Sequence, residues 1–379
     1  MSVEVRVPEE KELPAVFDQL SRIFSGRPTD PERVERSLAL TERERTLVAT
    51  DGGRLVGTAG IFSLGMTVPG GREVRTAGIT RVSVAATHRR RGVLRELMRR
   101  QLDDIHQRGE PLAALYASQA PIYGRFGYGV GTWHCHLAVP RARSAFGEPA
   151  PAGGLRILTS DEALALLPGL YERWRTGQPG AITRSEAYWK LRVTEPADPR
   201  QDRSAPWFLL HDGDRGPDGY AIYQVQARWQ QEDPAGTIFV GDLVGLDAGA
   251  TAALWRYCLD LDLMSRTEAH SCSLEDPLRH LLADPRAART TVYDGVWLRL
   301  VDVGAALGSR AYSTQDALTI EVHDGFCPWN AGRWRLEDGC RRTDSEPDLV
   351  VDAADLAATY LGGNSWTAMA AAGRVEERT

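Results

Sequence analysis

The sequence predicts an α/β (α+β) protein of three domains, the second a degenerate copy of the first. Three observations carry this reading. Strands and amphipathic helices alternate through the N-terminal third. The same order of strand, helices, meander and helix begins again after the Pro- and Gly-rich piece Gly147–Gly154. From about Val296 the chain turns to strands, a Gly-, Trp- and Arg-rich meander and two closing helices. The length of 379 residues agrees with several domains, because single cores stop growing at roughly 250–300 residues. The expected boundaries are 1–150, 151–292 and 293–379.

A short strand, Val3–Val7, leads into an amphipathic helix over Glu12–Phe24, whose Val16, Phe17, Leu20, Ile23 and Phe24 recur at helical spacing. A second helical piece follows Pro31. Thr46–Ala49, the Asp51-Gly52 turn, Leu55–Leu64, the Pro69-Gly70-Gly71 turn and Glu73–Val84 read as an antiparallel meander. A helix over about Arg90–His106 puts Leu94, Leu97, Met98, Leu102 and Ile105 on one face and Arg91, Arg95 and Arg99 on the other. The strand Leu112–Ala117 then rejoins the sheet.

The second pass runs through a strand at Leu155–Leu158 and helices from Asp161 and Thr183. Strands follow at Trp207–His211, Gly219–Ala227 and Thr237–Leu246, then a helix at Ala248–Leu261. This last helix corresponds to the arginine-rich one but carries no arginine until Arg256. Whatever anion the first copy binds, the second has lost the means. The third part offers strands at Val296–Val301 and Ala317–Val322 and helices at Ala353–Tyr360 and Trp366–Ala372.

Composition narrows the function. With 42% hydrophobic and 25% charged residues the chain reads as ordinary globular protein. No apolar run approaches the roughly 18 residues of a membrane span, and the start lacks a basic segment followed by an apolar one, so the expected location is cytoplasmic. A net charge of −6 disfavours nucleic acid and anionic membranes and would draw in a cationic partner. The five cysteines are widely spaced and never in a C-x-x-C pair, which suggests neither a disulfide framework nor a zinc site.

Chemistry concentrates between Gly78 and Gly129. A strand ends near Val84, a tight basic loop follows, and a helix opens directly after it. Unpaired N–H groups at a helix N-terminus, with the helix dipole, make an anion site without any side-chain charge. Here side-chain charge is added: six arginines fall between Arg89 and Arg100 against one acid, Glu96.

Arg89-x-x-Gly92 after Val82-Ser83-Val84 resembles motif A of the GNAT acetyltransferases, with Leu94 standing where the consensus has Gly or Ala. The longer string THRRRG, continued by YASQAPIYGRFGYG, is similar to the enhanced intracellular survival (Eis) family of aminoglycoside and lysine N-acetyltransferases. The resemblance covers nearly the whole chain. It implies two GNAT-type domains in tandem, the second degenerate, plus a C-terminal sterol-carrier-protein-like α+β domain.

The resemblance also implies roles. Main-chain groups of Val82, Ser83 and Val84 would pair with the pantetheine arm of acetyl-CoA. Backbone amides of Arg90, Arg91, Gly92, Val93, Leu94 and Arg95 would hold its pyrophosphate, and Ser118 and Gln119 would line its other side. Tyr123 matches the general acid that protonates the departing CoA thiolate as the amine attacks the thioester. The family's base is the carboxylate of a C-terminal residue on a tail. This chain ends at Thr379, short of that tail by resemblance, so no base residue is carried over. A homohexamer is implied as well.

From the residues alone, a phenol with a pKa near 10 suits proton donation to a thiolate, and Tyr116 and Tyr128 meet that requirement as Tyr123 does. His134 and His136 share one face of a strand, as metal ligands can. No third ligand accompanies them in the sequence, and the expectation is cross-strand packing with no metal. A reading of another class is a non-catalytic binding or scaffold protein whose C-terminal domain takes an apolar ligand. The intact basic loop argues against it.

Overall fold

The computed structural model describes residues 3–24, 31–149, 154–197 and 202–378. In the first part, β1 (Glu4–Arg6) is followed by helices α1 (Leu13–Phe24) and α2 (Pro31–Leu38), then by the meander β2 (Thr46–Asp51), β3 (Arg54–Thr67) and β4 (Glu73–Val84). Helix α3 (Val93–Gln107) crosses to β5 (Leu112–Tyr116), and the two-residue strand β6 (Gly129–Val130) follows. The helix expected from Arg90 starts three residues later, because Arg90 (φ 62°) and Gly92 (φ 84°) take left-handed backbone angles that no helix tolerates. α3 buries Leu97, Met98, Leu102 and Ile105 of its expected apolar face, together with Val93, while Leu94 is half-buried.

The second compact unit contains β7 (Trp133–Pro140), β8 (Gly154–Leu158), α4 (Ser160–Arg175), α5 (Glu186–Val193), β9 (Trp207–Gly213) and β10 (Gly216–Gln226). A small hairpin, β11 (Trp229–Gln230) with β12 (Asp233–Pro234), precedes β13 (Gly236–Gly245), α6 (Ala248–Asp260), β14 (Met264–Ser273), α7 (Leu278–Leu281) and β15 (Arg289–Asp294). Its sheet runs β8-β9-β10-β13-β14-β7-β15.

The last part opens with β16 (Val296–Leu300) and α8 (Val303–Ser309). It continues through β17 (Leu318–His323), β18 (Gly332–Leu336), β19 (Cys340–Arg342), β20 (Leu349–Asp352), α9 (Ala353–Tyr360), α10 (Trp366–Ala371) and β21 (Val375–Glu377). Its own sheet is ordered β19-β18-β17-β20-β21. The segment after the two closing helices is thus a strand, with Val375 opposite Val351.

The first sheet runs β1-β2-β3-β4-β5-β16-β6. Set beside β8-β9-β10-β13-β14-β7-β15, it shows the repeat strand for strand, with α3 and α6 in the same place between the fourth and fifth strands. The sixth strands are exchanged: β16, from beyond the second copy, enters the first sheet, and β7, from before it, enters the second. Sheet membership therefore does not follow chain order.

One apolar cluster joins Leu112, Ala114, Leu298 and Leu300 of the first sheet to Ile320, Trp334, Leu356 and Tyr360 of the last part. The approach is close enough that a Cβ on Gly129 would lie 1.9 Å from the Ala354 carbonyl oxygen of α9.

Candidate active site

Strands β4 and β5 pair in parallel over three positions only, Thr76 with Leu112, Ala77 with Ala113 and Gly78 with Ala114. Beyond them β4 stays with β3, while Leu115 and Tyr116 remain paired with β16. A wedge opens between the two strands. β4 also bulges: Gly60 faces Thr80 and Thr58 faces Ser83, so two β4 residues oppose one on β3, and Arg81 takes φ 54°.

The bulge is braced by a chain of hydroxyls. Thr58 Oγ1 lies 2.7 Å from the Arg81 carbonyl and 2.7 Å from Ser83 Oγ, which Gln19 Nε2 reaches at 3.1 Å. A hydroxyl has one proton and a carbonyl none, so Gln19 donates to Ser83, Ser83 to Thr58 and Thr58 to Arg81. The Ala85 N–H bonds the Val56 carbonyl at 2.8 Å. By the alternation of an antiparallel ladder, the main chain of Val84 faces the opposite edge, toward the wedge.

After Val84 the chain makes a single 3-10 turn, Ala86–His88, then the left-handed residues Arg90 and Gly92, and enters α3 with no side-chain cap. The first amide seen to bond within the helix is Glu96 N to Gly92 O, at 3.0 Å, so the amides of Val93, Leu94 and Arg95 precede the helical ladder. Asp51, at the β2–β3 turn, holds this loop: its carboxylate lies 3.1 Å from His88 Nε2 and 3.4 Å from Arg91 Nη2. The His88 hydrogen bond and the Arg91 charge lower the Asp51 pKa.

The six arginines divide by role. Arg91 is engaged by Asp51, Arg100 by Glu96 at 3.1 Å, and Arg99 by the Phe326 carbonyl. Arg89, Arg90 and Arg95 are exposed around the helix start. The expected arginine stripe is therefore broken, with Arg99 serving packing and Arg95 left near the anion site.

Past β5, Ser118 and Gln119 are exposed, and two 3-10 turns, Ala120–Ile122 and Gly124–Phe126, meet at Tyr123. Tyr123 is 5% exposed. Burial pushes its phenol pKa up, and a hydrogen bond with Ser118 works in the opposite direction. The other two tyrosines occupy different environments. Tyr116 is 66% exposed. Tyr128 is fully buried, its ring edge-on to Tyr123 at 6.1 Å, and its hydroxyl has no hydrogen-bond partner among the described residues.

Sequence reasoning missed the wall behind these tyrosines. Arg299 of β16 is fully buried and paired with Asp324, whose second oxygen accepts the amides of Phe326 (3.2 Å) and Cys327 (2.8 Å). Asn330 Nδ2 reaches Asp324 at 3.2 Å and its Oδ1 accepts the Val303 amide at 3.0 Å. Phe326 packs edge-on to Phe126 and beneath Arg99, while Trp329 stacks on His106 of α3 at 4.4 Å. The 324–330 loop thus backs both the basic helix and the Tyr123 turn. The only signal in the sequence was one arginine inside the apolar run Val296-Trp297-Leu298-Arg299-Leu300-Val301.

The corresponding helix start of the second copy is built differently. Asp247 caps α6, its carboxylate accepting the Ala250 amide at 2.8 Å. An amide so taken, beside a negative charge, repels a phosphate. The two histidines weighed together in the sequence have different neighbours: His134 lies edge-on to Tyr293 at 6.1 Å, whereas His136 stacks on His270 at 4.2 Å beside Glu268.

Residues 4–131 match an acetyltransferase (GNAT) domain model, residues 180–300 a second GNAT model, and residues 303–379 a sterol carrier protein domain. The chain is 42% identical to an N-acetyltransferase of Streptomyces avermitilis and 36% identical to N-acetyltransferase Eis of Mycobacterium tuberculosis. It covers 100% of this chain and 94% of the relative in each case. The crystal structure of Eis1 from Mycobacterium abscessus superposes with a TM-score of 0.87 at 36% identity, again over 100% of this chain and 94% of that one. Fold and comparisons together define an N-acetyltransferase with tandem GNAT domains, a class whose co-substrate is an acyl-CoA. The chain belongs to the Eis family of N-acetyltransferases.

Proposed function

We propose that the protein transfers the acetyl group of acetyl-CoA to amines of polycationic substrates, of aminoglycoside or lysine type, by direct attack of the amine on the thioester. The observation that carries this reading is the junction of wedge, basic helix start and buried Tyr123. Val82, Ser83 and Val84 hold the pantetheine along the open edge of β4. The amides of Arg90–Arg95 hold the pyrophosphate, and Ser118 and Gln119 close the other side. The amine attacks the carbonyl carbon, the C–S bond breaks, and Tyr123 gives its proton to the CoA sulfur. The nitrogen of the tetrahedral adduct loses its extra proton to solvent, and the Tyr123 phenolate takes one back from solvent, so that the products are the amide and CoA thiol.

The division into a catalytic part (1–150), a degenerate copy (151–292) and a third domain (293–379) is one of labour, since strands cross it. Assembly as a homohexamer rests on family membership. A cytoplasmic site suits five free cysteines. The scaffold alternative gains nothing from the third domain, whose interior is filled by Trp334, Leu356 and Tyr360, the last bonded to the Ala306 carbonyl at 2.8 Å.

The test is release of CoA thiol from acetyl-CoA against a panel of aminoglycosides, polyamines and lysine peptides. Turnover above the acceptor-free rate is expected with the polycations. Hydrolysis at the same rate with and without every acceptor would reject the reading.

A further inference from the structure

Within the second unit, β7 and β14 bring together three side chains that acyl transfer does not use. Ala269 pairs with Leu137 and Cys272 with Cys135, so His270 and Ser271 on β14 oppose His136 alone on β7. This is a bulge. Ser271 takes φ 59° and its amide is held by Tyr293 Oη at 2.7 Å. Bulges re-aim side chains, and here the result is His270 stacked on His136 with ring centres 4.2 Å apart and Glu268 beside both.

Glu268 is 8% exposed. Its Oε1 is taken by Arg266, which leaves Oε2 toward the imidazoles, 3.6 Å from His136 Nε2 and 3.8 Å from His270 Nε2. Donor atoms of all three residues lie within 4.8 Å of one another. These separations are long for hydrogen bonds. They are close to the spacing of ligands around one ion, because two bonds of about 2.0–2.2 Å at a tetrahedral angle hold their donors roughly 3.4 Å apart. His136 Nε2 is shut off from solvent and has no hydrogen-bond partner among the described residues.

We propose that His136, Glu268 and His270 form a site for one divalent late first-row metal ion of the zinc type, which clasps β7 to the bulge of β14. Two imidazoles and a carboxylate suit such an ion, and the half-exposed side of His270 leaves the fourth position to water. Arg266 stays on Oε1 as the outer partner that orients the carboxylate. The rings are now parallel to within 3°, so binding rotates them about χ2, a broad torsion for histidine, until both Nε2 lone pairs meet at the ion. Arg203 and Arg266 tax the affinity with like charge.

The test titrates the reduced full-length protein with zinc chloride by calorimetry and with cobalt chloride by visible absorption. One ion per chain is expected, with a nitrogen and oxygen cobalt spectrum free of thiolate bands. Affinity should fall at least tenfold in His270→Gln, an exposed position that spares the fold, and in His136→Gln. Equal binding by the parent and His270→Gln, a thiolate spectrum, or no binding by the parent would overturn the proposal.

Discussion

A buried phenol is a good proton donor only while it keeps its proton, and burial of Tyr123 works in that direction. Since the shift is upward, the acid form persists through neutral pH and past the ordinary value near 10. Loss of the acid therefore cannot produce a falling limb at moderate alkalinity. The attacking amine must be neutral, so kcat/KM is expected to climb from about pH 6 to 9 without a decline below about pH 10. A decline centred near pH 8 in the pH–rate profile would count against Tyr123. Tyr123→Phe removes only the hydroxyl. Turnover should fall by roughly two to four orders of magnitude, the scale of a lost general acid, with acyl-CoA affinity kept. Kinetics within threefold of the parent would take Tyr123 out of the mechanism.

At the scale of elements, α3 and α6 are the same helix in two copies with opposite N-termini. One begins at Gly92 in left-handed backbone with no side-chain cap, and the other at Asp247 with its carboxylate on the Ala250 amide. An anion is attracted to the first and repelled by the second. CoA is thus expected to slow amide hydrogen exchange over 86–96 and around Val82–Val84 while leaving 247–256 unchanged, read by mass spectrometry. Protection of both segments, or two CoA sites per chain in a titration, would contradict the account. That the second copy lost its arginines was legible in the sequence. That it gained a cap where the phosphate would sit emerged only from the geometry of Asp247.

At the scale of the molecule, the chain beyond β16 is bound to the first sheet through a buried ion pair between Arg299 of β16 and Asp324. Arg299 is 0% exposed and Asp324 7%. A buried charge that loses its partner costs about 3–5 kcal/mol, whereas replacing both partners by apolar groups can cost little. Asp324→Asn should therefore lower the denaturant midpoint markedly, and Arg299→Met with Asp324→Leu should recover much of the loss. A single variant as stable as the parent would show that the pair does not hold the 324–330 loop. The same loop touches α3 through Trp329 and backs Tyr128 and Phe126. Weakening it should therefore also reduce turnover.

Periodicity and turn residues were enough for most of the element order of the first part, for the second as far as α6 and for the basic helix start, because these are local properties of 10 to 15 residues. The elements β14, α7 and β15, which follow α6, were not read from the sequence. Family resemblance singled out Tyr123. The residues by themselves left Tyr116 and Tyr128 level with it, and only burial separates an outward ring from a sealed one. The exchange of β7 and β16 was invisible in the sequence, since a strand's pattern tells which face is buried and never which strand lies beside it. The same limit hid Asp324 from Arg299 across 25 residues and Glu268 from His136. A side chain's partner is a matter of distance in the folded chain, and long-range strand pairing sets that distance.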